Sequence, residues 1–184
     1  MPSQPLATRV FEGHDASEGA ARLDPTLTAF VVEHYDRLVR LAYLICSNPA
    51  DAADAVQRGL EQAWRRRDSL RDESRLRPWL DRVIVREAIR LGRRPWYRRV
   101  LSLDSSVGWI EPTFATPDAT EWLALRAAFD RLPAEQRAVI ALHLYWGYSV
   151  ADTAQIVEVP VETVRSRLRI AKERLRRELV ESNR

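Results

Sequence analysis

The sequence has a single cysteine, Cys46, so it has no intramolecular disulfide and no zinc site built from cysteines. Its histidines, His14, His34 and His143, are scattered, and none lies at metal-ligand spacing from another histidine or from the cysteine. Neither a glycine-rich phosphate-binding loop nor a G-x-S-x-G nucleophile motif occurs. We therefore expect no bound metal, no cofactor and no enzymatic activity.

Glycine is scarce as well, at six residues, and alternating apolar and polar runs are few, which argues against a β-rich fold. No uninterrupted apolar stretch is long enough to cross a bilayer. Residues 1–24 lack the basic start and apolar run of a signal peptide, and their polar, mixed composition is typical of a flexible tail. These features predict a cytoplasmic protein with no membrane insertion.

What the sequence does contain is apolar residues at helical spacing. Three such segments, beginning near Pro25, Pro49 and Pro78, predict a helical domain over residues 25–99. Residues 100–120 are rich in Ser, Thr, Pro and acids and lack a helical stripe, which predicts an extended linker. Helical periodicity returns over residues 121–184. The predicted fold class is therefore all-α, with two small helical domains joined by an extended linker.

The most informative stretch runs from Ser149 to Leu179 and predicts two helices joined by a tight turn. Ser149 and Asp152 resemble a capping box at the start of the first helix, and Pro160 suits the first turn of the second. An apolar stripe along the second helix contains Val164, Leu168, Ala171, Leu175 and Leu179. Its opposite face carries Arg165, Ser166 and Arg169. A helix packed by one face, with arginines on the other, is typical of major-groove recognition.

Charge alone does not distinguish a DNA-binding helix from a solvated surface. Residues 161–179 contain seven Lys or Arg and three Glu, a surplus of four positive charges. Glu173 can pair along the helix with Arg169, whereas Arg165 and Arg167 are expected to have fewer acidic partners. The surplus favours nucleic-acid binding, and ion pairing with Glu173 stays the alternative for Arg169.

Over about residues 27–180 the chain resembles the extracytoplasmic-function group of bacterial RNA polymerase sigma factors. The similarity is strongest in RLPAEQRAVIALHLYWGYSVADTAQIVEVPVETVRSRLRIAKERLRREL, from Arg131 to Leu179, which resembles the group's region 4. The resemblance implies a helix-turn-helix domain that binds the −35 promoter element. The residues that it assigns to this contact are Thr163, Arg165, Ser166, Arg167 and Arg169.

The first domain resembles region 2 of the same group. Pro49–Gln57 and Ala63-Trp64 are similar to the helix that docks on the clamp of the largest polymerase subunit. The resemblance assigns polymerase contacts to Asp51, Asp54, Gln57, Arg58 and Glu61. Arg77-Pro78-Trp79-Leu80 and Arg93-Arg94 resemble the segment that engages the −10 element and the melted strand. The residues assigned to that contact are Arg77, Trp79, Arg82, Arg86, Arg90 and Arg93. For Trp79, burial in the core is the alternative.

Four residues depart from the group's pattern. Arg58 stands where an acid is usual, Arg86 where asparagine is common and Arg90 where aspartate is common. The two changes in the third helix add positive charge, which favours phosphate contact and leaves base selection at the −10 element open. Glu158 occupies a turn position where glycine is frequent.

The resemblance implies an alternative sigma factor that binds core RNA polymerase through its largest-subunit clamp and its flap. Such a factor directs promoter-specific initiation by recognising −35 and −10 elements in promoter DNA and by helping to melt the duplex. An anti-sigma factor is a further partner that the resemblance raises. Two alternatives stay open, namely a stand-alone helix-turn-helix regulator and a degenerate sigma-like protein that binds polymerase without melting DNA.

Overall fold

The structure, a computed structural model, describes residues 24–93 and 119–182, and these residues form helices and no strands. Residues 1–23 of the predicted tail (1–24) and residues 100–118 of the predicted linker (100–120) lie outside the described residues, as does Arg94. The last two residues of the predicted linker, Ala119 and Thr120, belong to a helix. We call residues 24–93 the N-terminal unit and residues 119–182 the C-terminal unit. The helices are α1 (Pro25–Cys46), α2 (Pro49–Arg65), α3 (Leu76–Gly92), α4 (Ala119–Asp130), α5 (Ala134–Ile140), α6 (Val150–Val157) and α7 (Val161–Ser182). Short 3₁₀ turns at Arg67–Ser69 and Glu73–Arg75 precede α3, and a π-helical turn at Ala141–Tyr145 follows α5.

Local side-chain caps set the starts of several helices. The carboxylate of Asp24 accepts the backbone N–H of Leu27 at 2.8 Å. Asn48 accepts the N–H of Asp51 at 2.9 Å, so the predicted cap of α2 is present. The third helix begins at Leu76, two residues before the predicted Pro78, because the preceding 3₁₀ turn runs directly into it. Proline is tolerated there because the N–H groups of the first turn have no acceptor within the helix.

The N-terminal unit is a bundle in which α1, α2 and α3 pack against one another. Its fully buried core includes Leu38, Leu41, Val56, Leu80 and Ile84. At Gly59, a β-carbon would lie 2.4 Å from Cδ1 of Ile84. The close approach of α2 to α3 therefore requires the absence of a side chain at this position.

The C-terminal unit buries the apolar stripe of α7 against α4, α5 and α6. Val164 and Ala171 are fully buried and Leu168 is 6% exposed, which confirms the predicted inner face of this helix. Leu132 and Val139 belong to the same cluster. The outer face of α7 is thereby oriented away from the core of the unit.

The two units also pack directly against each other, which the predicted tether did not anticipate. Ala138, Leu142 and Ile156 of the C-terminal unit join the core cluster of the N-terminal unit. Arg137 is 1% exposed and donates from Nε to the carbonyl of Ile45 at 2.8 Å. A buried guanidinium therefore hydrogen-bonds across the boundary between the units.

Candidate nucleic-acid interface

The turn between α6 and α7 fixes the direction in which α7 leaves the C-terminal unit. Ser149 caps α6 by accepting the N–H of Asp152 at 3.0 Å. Glu158 ends α6 with φ of 55°, in the left-handed region that costs a residue other than glycine about 1 kcal/mol. Val159 then donates its N–H to the carbonyl of Ala154 at 3.1 Å, and α7 begins at Val161. Glu158 therefore adopts the left-handed backbone conformation that glycine often adopts at this turn.

The predicted −35 residues lie together at the N-terminal end of α7. Arg165, Ser166 and Arg169 are exposed, and Thr163 and Arg167 are half-buried. The side chains of Arg165 and Arg169 are 62% and 66% exposed. Arg165, Ser166 and Arg169 therefore lie on the exposed face of α7, and Thr163 and Arg167 lie at the edge of that face, beside the buried stripe. Arg165 and Arg169 are about one helical turn apart.

Both of these arginines have acidic neighbours on the same helix. Arg169 donates from Nη1 to Glu173 at 3.0 Å, as the alternative interpretation expected. Arg165 pairs with Glu162, which corrects the expectation that Arg165 has few acidic partners, because an acid three residues earlier lies on the same face. Exposed pairs of this kind contribute about 0.2–1 kcal/mol, so DNA can displace the carboxylates.

The predicted −10 residues lie along α3 and just after its C-terminal end. Arg77, Arg86, Arg90 and Arg93 are exposed, and Arg82 is half-buried. Trp79 is half-buried and packs against the core cluster. It is therefore neither fully exposed, as a surface for DNA bases would be, nor fully buried, as a core residue would be. A tryptophan held in this way has a fixed orientation and retains some accessible surface.

Three of these arginines donate to carboxylates. Arg90 contacts Glu87 of its own helix, with Nη2 at 2.5 Å from Oε2. Arg86 donates from Nη2 to Glu158 at 2.6 Å. Arg93 donates from Nε to Glu135 at 2.6 Å. The last two acids belong to the C-terminal unit, so part of the predicted −10 surface faces that unit.

The Glu135 carboxylate is stabilised in its charged form. Burial works to raise the pKa of Glu135, but its own backbone N–H and the guanidinium of Arg93 outweigh burial. The net effect is a pKa below the ordinary range of glutamate, so the pair with Arg93 is charged at neutral pH.

The predicted polymerase-binding residues share the outer face of α2. Asp54, Gln57 and Arg58 are exposed, and Asp51 and Glu61 are half-buried. Nη2 of Arg58 lies 3.6 Å from Oδ2 of Asp54, and the amide of Gln57 donates to the carboxylate of Glu61 at 3.4 Å. Their spacing of three and four residues places all five on one stripe opposite the buried face of the helix.

One cluster of functional interest was not predicted from the sequence. The carboxylate of Asp81 is fully buried and accepts from Nη1 of Arg37 at 2.7 Å and from the hydroxyl of Tyr148 at 2.6 Å. Burial, followed by the charge of Asp81, raises the pKa of Tyr148 above its ordinary value. These residues are 44 and 67 positions apart from Asp81, so no local pattern could have associated them. We call Arg37, Asp81 and Tyr148 the Asp81 cluster.

A cleft of about 630 Å³ separates the segment before and within α3 from α6. Arg71, Arg75, Trp79 and Arg82 line it from the N-terminal unit. Tyr148, Asp152 and Gln155 line it from the C-terminal unit. Two predicted −10 residues, Trp79 and Arg82, therefore face a cleft whose opposite wall is the other unit.

Within residues 24–93 and 119–182, no group of three or more His, Cys, Asp or Glu side chains could hold a metal ion. None of the helices in these two ranges has the length and apolarity needed to cross a bilayer. Cys46 is buried, and its thiol donates to the carbonyl of Ala88 at 3.4 Å.

Two family comparisons cover most of the described chain. Residues 30–98 match the Sigma-70 region 2 family, and residues 122–175 match the Sigma-70 region 4 family. The first range contains α2 and α3 with the predicted polymerase and −10 residues. The second contains the helix pair with the predicted −35 residues.

Curated relatives and solved structures agree with these matches. The ECF RNA polymerase sigma factor SigL of Mycobacterium tuberculosis is 34% identical over 89% of this chain and 94% of its own length. SigM of the same organism is 34% identical over 78% of this chain and 72% of its own length. The sigma factor RpoE of Bartonella quintana, solved with the anti-sigma factor NepR, is 28% identical, with a TM-score of 0.62 over 85% of this chain and 97% of that one.

A more distant structure supports the fold alone. CnrH, solved with the cytosolic domain of CnrY, is 21% identical, with a TM-score of 0.61 over 96% of each chain. Taken together, the comparisons do not favour a stand-alone regulator. The chain belongs to the extracytoplasmic-function group of RNA polymerase sigma factors and is an alternative sigma factor that directs promoter-specific transcription initiation.

Proposed function

We propose that the protein performs this task through three separate surfaces, each contributed by one helix. The single observation that carries the proposal is the division of α7 into a buried stripe and an exposed basic face. Such a helix can enter a groove without losing its packing in the protein. The outer faces of α2 and α3 supply the other two surfaces.

The −35 element is bound by the start of α7. Arg165 and Arg169 exchange Glu162 and Glu173 for guanine edges or phosphates. A bidentate arginine–guanine contact discriminates between bases by about 1–3 kcal/mol, more than the exposed ion pair contributes. The remaining contacts come from Thr163, Ser166 and Arg167.

The −10 element is bound by α3. A base that leaves the duplex stack needs an aromatic surface and nearby cations. The accessible part of Trp79 lines a cleft together with Arg82, and the two side chains offer both, with Arg77 at the start of the same helix. Arg86, Arg90 and Arg93 add positive charge along the same helix, which suits the phosphates of the strand.

Core RNA polymerase is bound by the outer face of α2. Asp54 and Gln57 are exposed there and offer acceptors and an amide to a basic partner surface. Arg58, held beside Asp54, changes the charge of this face where relatives usually have an acid. The five contact residues are Asp51, Asp54, Gln57, Arg58 and Glu61.

We assign residues 25–99 to the region 2 domain and residues 121–184 to the region 4 domain, with a linker between them. Sigma factors act as initiation factors, and we propose that this one carries out no bond chemistry and works in the cytoplasm. Because RpoE was solved with the anti-sigma factor NepR, an anti-sigma factor is the expected regulator here as well.

Transcription with purified components tests the proposal. The protein is added to core polymerase, bound promoter DNA is selected, and melting is followed by permanganate reactivity of thymines in the −10 region. We expect co-purification with core, transcription and reactive thymines. Failure to bind core contradicts the proposal, and core binding without thymine reactivity identifies the degenerate, non-melting form instead.

A further inference from the structure

A buried carboxylate joins α2 to α3. Glu87 is 6% exposed, and its Oε1 accepts from Nε2 of Gln62 on α2 at 2.8 Å. Its Oε2 accepts from Nε of Arg90 at 2.9 Å, and Nη2 of the same guanidinium donates to that oxygen as well. A buried charge costs free energy unless it is paired and hydrogen-bonded, and both oxygens of Glu87 meet that requirement.

A third group, the guanidinium of Arg58, acts on the same carboxylate. Burial works to raise the pKa of Glu87, but hydrogen bonds from Arg90 and Gln62 oppose it. The charges of Arg90 and Arg58 add to those bonds, so the pKa of Glu87 lies below the ordinary range of glutamate. Arg58 directly precedes Gly59, where α2 lies against α3, so its side chain starts close to the contact between the two helices.

Both arginines depart from the pattern of the sigma-factor group. Arg58 stands where an acid is usual, and Arg90 stands where aspartate is common. With those acids in place, the buried Glu87 would have like charges on both sides instead of two cations, and like charges disfavour the ionised form. The two departures therefore form one compensated set, in which Arg58 and Arg90 balance the charge of Glu87.

Arg90 differs in this respect from its neighbour Arg86 on the same helix. Arg86 donates to Glu158 of the C-terminal unit, whose side chain is 49% exposed. Glu87, by contrast, is buried and lies three residues before Arg90. An exposed pair is readily exchanged for a phosphate, whereas removing a partner from a buried carboxylate leaves that charge uncompensated. The protein therefore retains Arg90 more firmly than Arg86.

We propose that Glu87 is a positioning residue for promoter binding, which holds Arg90 against α3 and so withholds its guanidinium from the phosphates of the −10 strand. The same carboxylate offsets Arg58, so this arginine adds little net positive charge to the polymerase-binding face of α2. The inference rests on the proposed function, since it needs α3 to bind the −10 element. It narrows that function, because Arg90 serves the carboxylate of Glu87 and the phosphate contacts of α3 fall to its other arginines.

The salt dependence of promoter binding tests the proposal in the holoenzyme. Each phosphate contact steepens the decline of log K with log salt concentration by about 0.7–0.9. The probe is a promoter fragment that the wild-type holoenzyme selects. We expect Arg86→Gln to reduce this slope by about one contact and Arg90→Gln to reduce it by less than half as much. Glu87→Gln releases Arg90, so it should steepen the slope by about one contact.

A double variant shows whether this gain comes from Arg90. In the Glu87→Gln protein, Arg90→Gln should remove the added slope, whereas a merely structural role of Glu87 would change stability and leave the slope as it was. Equal effects of Arg86→Gln and Arg90→Gln in the otherwise wild-type protein overturn the proposal, as does a folded Glu87→Gln protein with the wild-type slope. Should Glu87→Gln or Arg90→Gln fail to fold by circular dichroism, the slope of the other variant decides.

Restoring the usual acid tests the compensated set in the free protein. Arg58→Glu should lower the thermal midpoint of unfolding by about 2–4 °C, because it places an acid beside a buried carboxylate. The same substitution in the Glu87→Gln protein should lower the midpoint less. Arg65→Glu is the matched control, since Arg65 and Arg58 each pair with an exposed acid four residues earlier on α2. An effect of Arg58→Glu no larger than that of Arg65→Glu overturns the compensation.

Transcription by the wild-type holoenzyme separates this inference from the proposed function. If the holoenzyme initiates transcription but Arg86→Gln and Arg90→Gln lower the salt slope equally, only the role of Glu87 fails. If the wild type does not bind core or initiate transcription, the proposed function fails and the inference fails with it.

Discussion

Tyr148 of the C-terminal unit donates its hydroxyl to the fully buried carboxylate of Asp81 in the N-terminal unit at 2.6 Å. Arg37 contacts the same carboxylate from α1 and lies with its guanidinium 5.8 Å from the ring centre of Trp146. A buried charge with two donors on different elements is stable only while both elements remain in place. The Asp81 cluster therefore helps to fix the position of the C-terminal unit against the N-terminal unit.

The first prediction concerns alkaline pH. Burial, and then the charge of Asp81, raise the pKa of Tyr148 above 10.0, and the opposing effects of Arg37 and Arg77 are smaller. A raised pKa means that the contribution of Tyr148 to stability is complete below about pH 10 and is lost as pH rises above it. We expect the free energy of unfolding to fall more steeply above about pH 10 in the wild type than in Tyr148→Phe.

Denaturant titrations of both proteins across this range measure the difference. Parallel pH dependences in the two proteins would show that folding does not raise the pKa of Tyr148. Tyr145, which lies beside Trp146 and is more exposed, provides a matched Tyr145→Phe control.

The second prediction concerns −35 recognition. Arg169→Ala and Arg165→Ala remove exposed guanidinium groups from the outer face of α7. We expect each to cost about 1–3 kcal/mol of preference for the correct −35 sequence in the holoenzyme. Arg176→Ala, at an exposed site about four turns from the start of the helix, is the control and should slightly weaken binding to all sequences alike. Competition binding with mutated −35 elements measures the preference, and an equal loss on every sequence would assign Arg165 and Arg169 to phosphates.

The third prediction concerns polymerase. Asp54→Lys with Gln57→Lys places two cations on the outer face of α2 without disturbing its buried side. We expect loss of co-purification with core polymerase and unchanged helicity. Glu33→Lys on α1, where the side chain is 77% exposed, is the matched control and should bind core normally. Normal core binding by the α2 variant would move the docking surface elsewhere.

The fourth prediction concerns strand capture by Trp79. Base–aromatic stacking contributes about 1–3 kcal/mol per base, so Trp79→Leu should reduce promoter opening while Trp79→Phe retains most of it. Permanganate reactivity in the −10 region measures opening, and thermal unfolding measures the contribution of the ring to the core. A Trp79→Leu protein that is destabilised but opens promoters normally would assign Trp79 to the core alone.

The fifth prediction concerns the packing of α2 on α3. Gly59→Ala places a methyl group 2.4 Å from Cδ1 of Ile84, and we expect it to lower the free energy of unfolding by about 1–3 kcal/mol. Ile84→Val removes that atom. Gly59→Ala should therefore lower the free energy of unfolding less in the Ile84→Val protein than it does in the wild type. Denaturant unfolding of the four proteins measures the coupling, and additive effects would mean that α2 and α3 separate to accommodate the methyl group.

Features that depend on neighbouring residues were predictable from the sequence. The caps at Asn48 and Ser149 act over three residues, and the buried stripe through Val164 and Ala171 follows from helical geometry. The exposed face of α7 follows from the same periodicity. The pairing of Arg165 with Glu162 is equally local, because the two residues are three positions apart on one helix.

Contacts between distant parts of the chain required the tertiary structure. An aspartate in a helix is usually exposed. Asp81 is nevertheless fully buried, because Arg37 and Tyr148 contact its carboxylate from other elements. Arg137 is likewise buried because a carbonyl 92 positions earlier accepts its Nε–H. Periodicity and capping encode each helix and its faces, since those interactions span only a few residues. Which face of one unit meets which face of the other depends on packing and charge summed over the whole boundary.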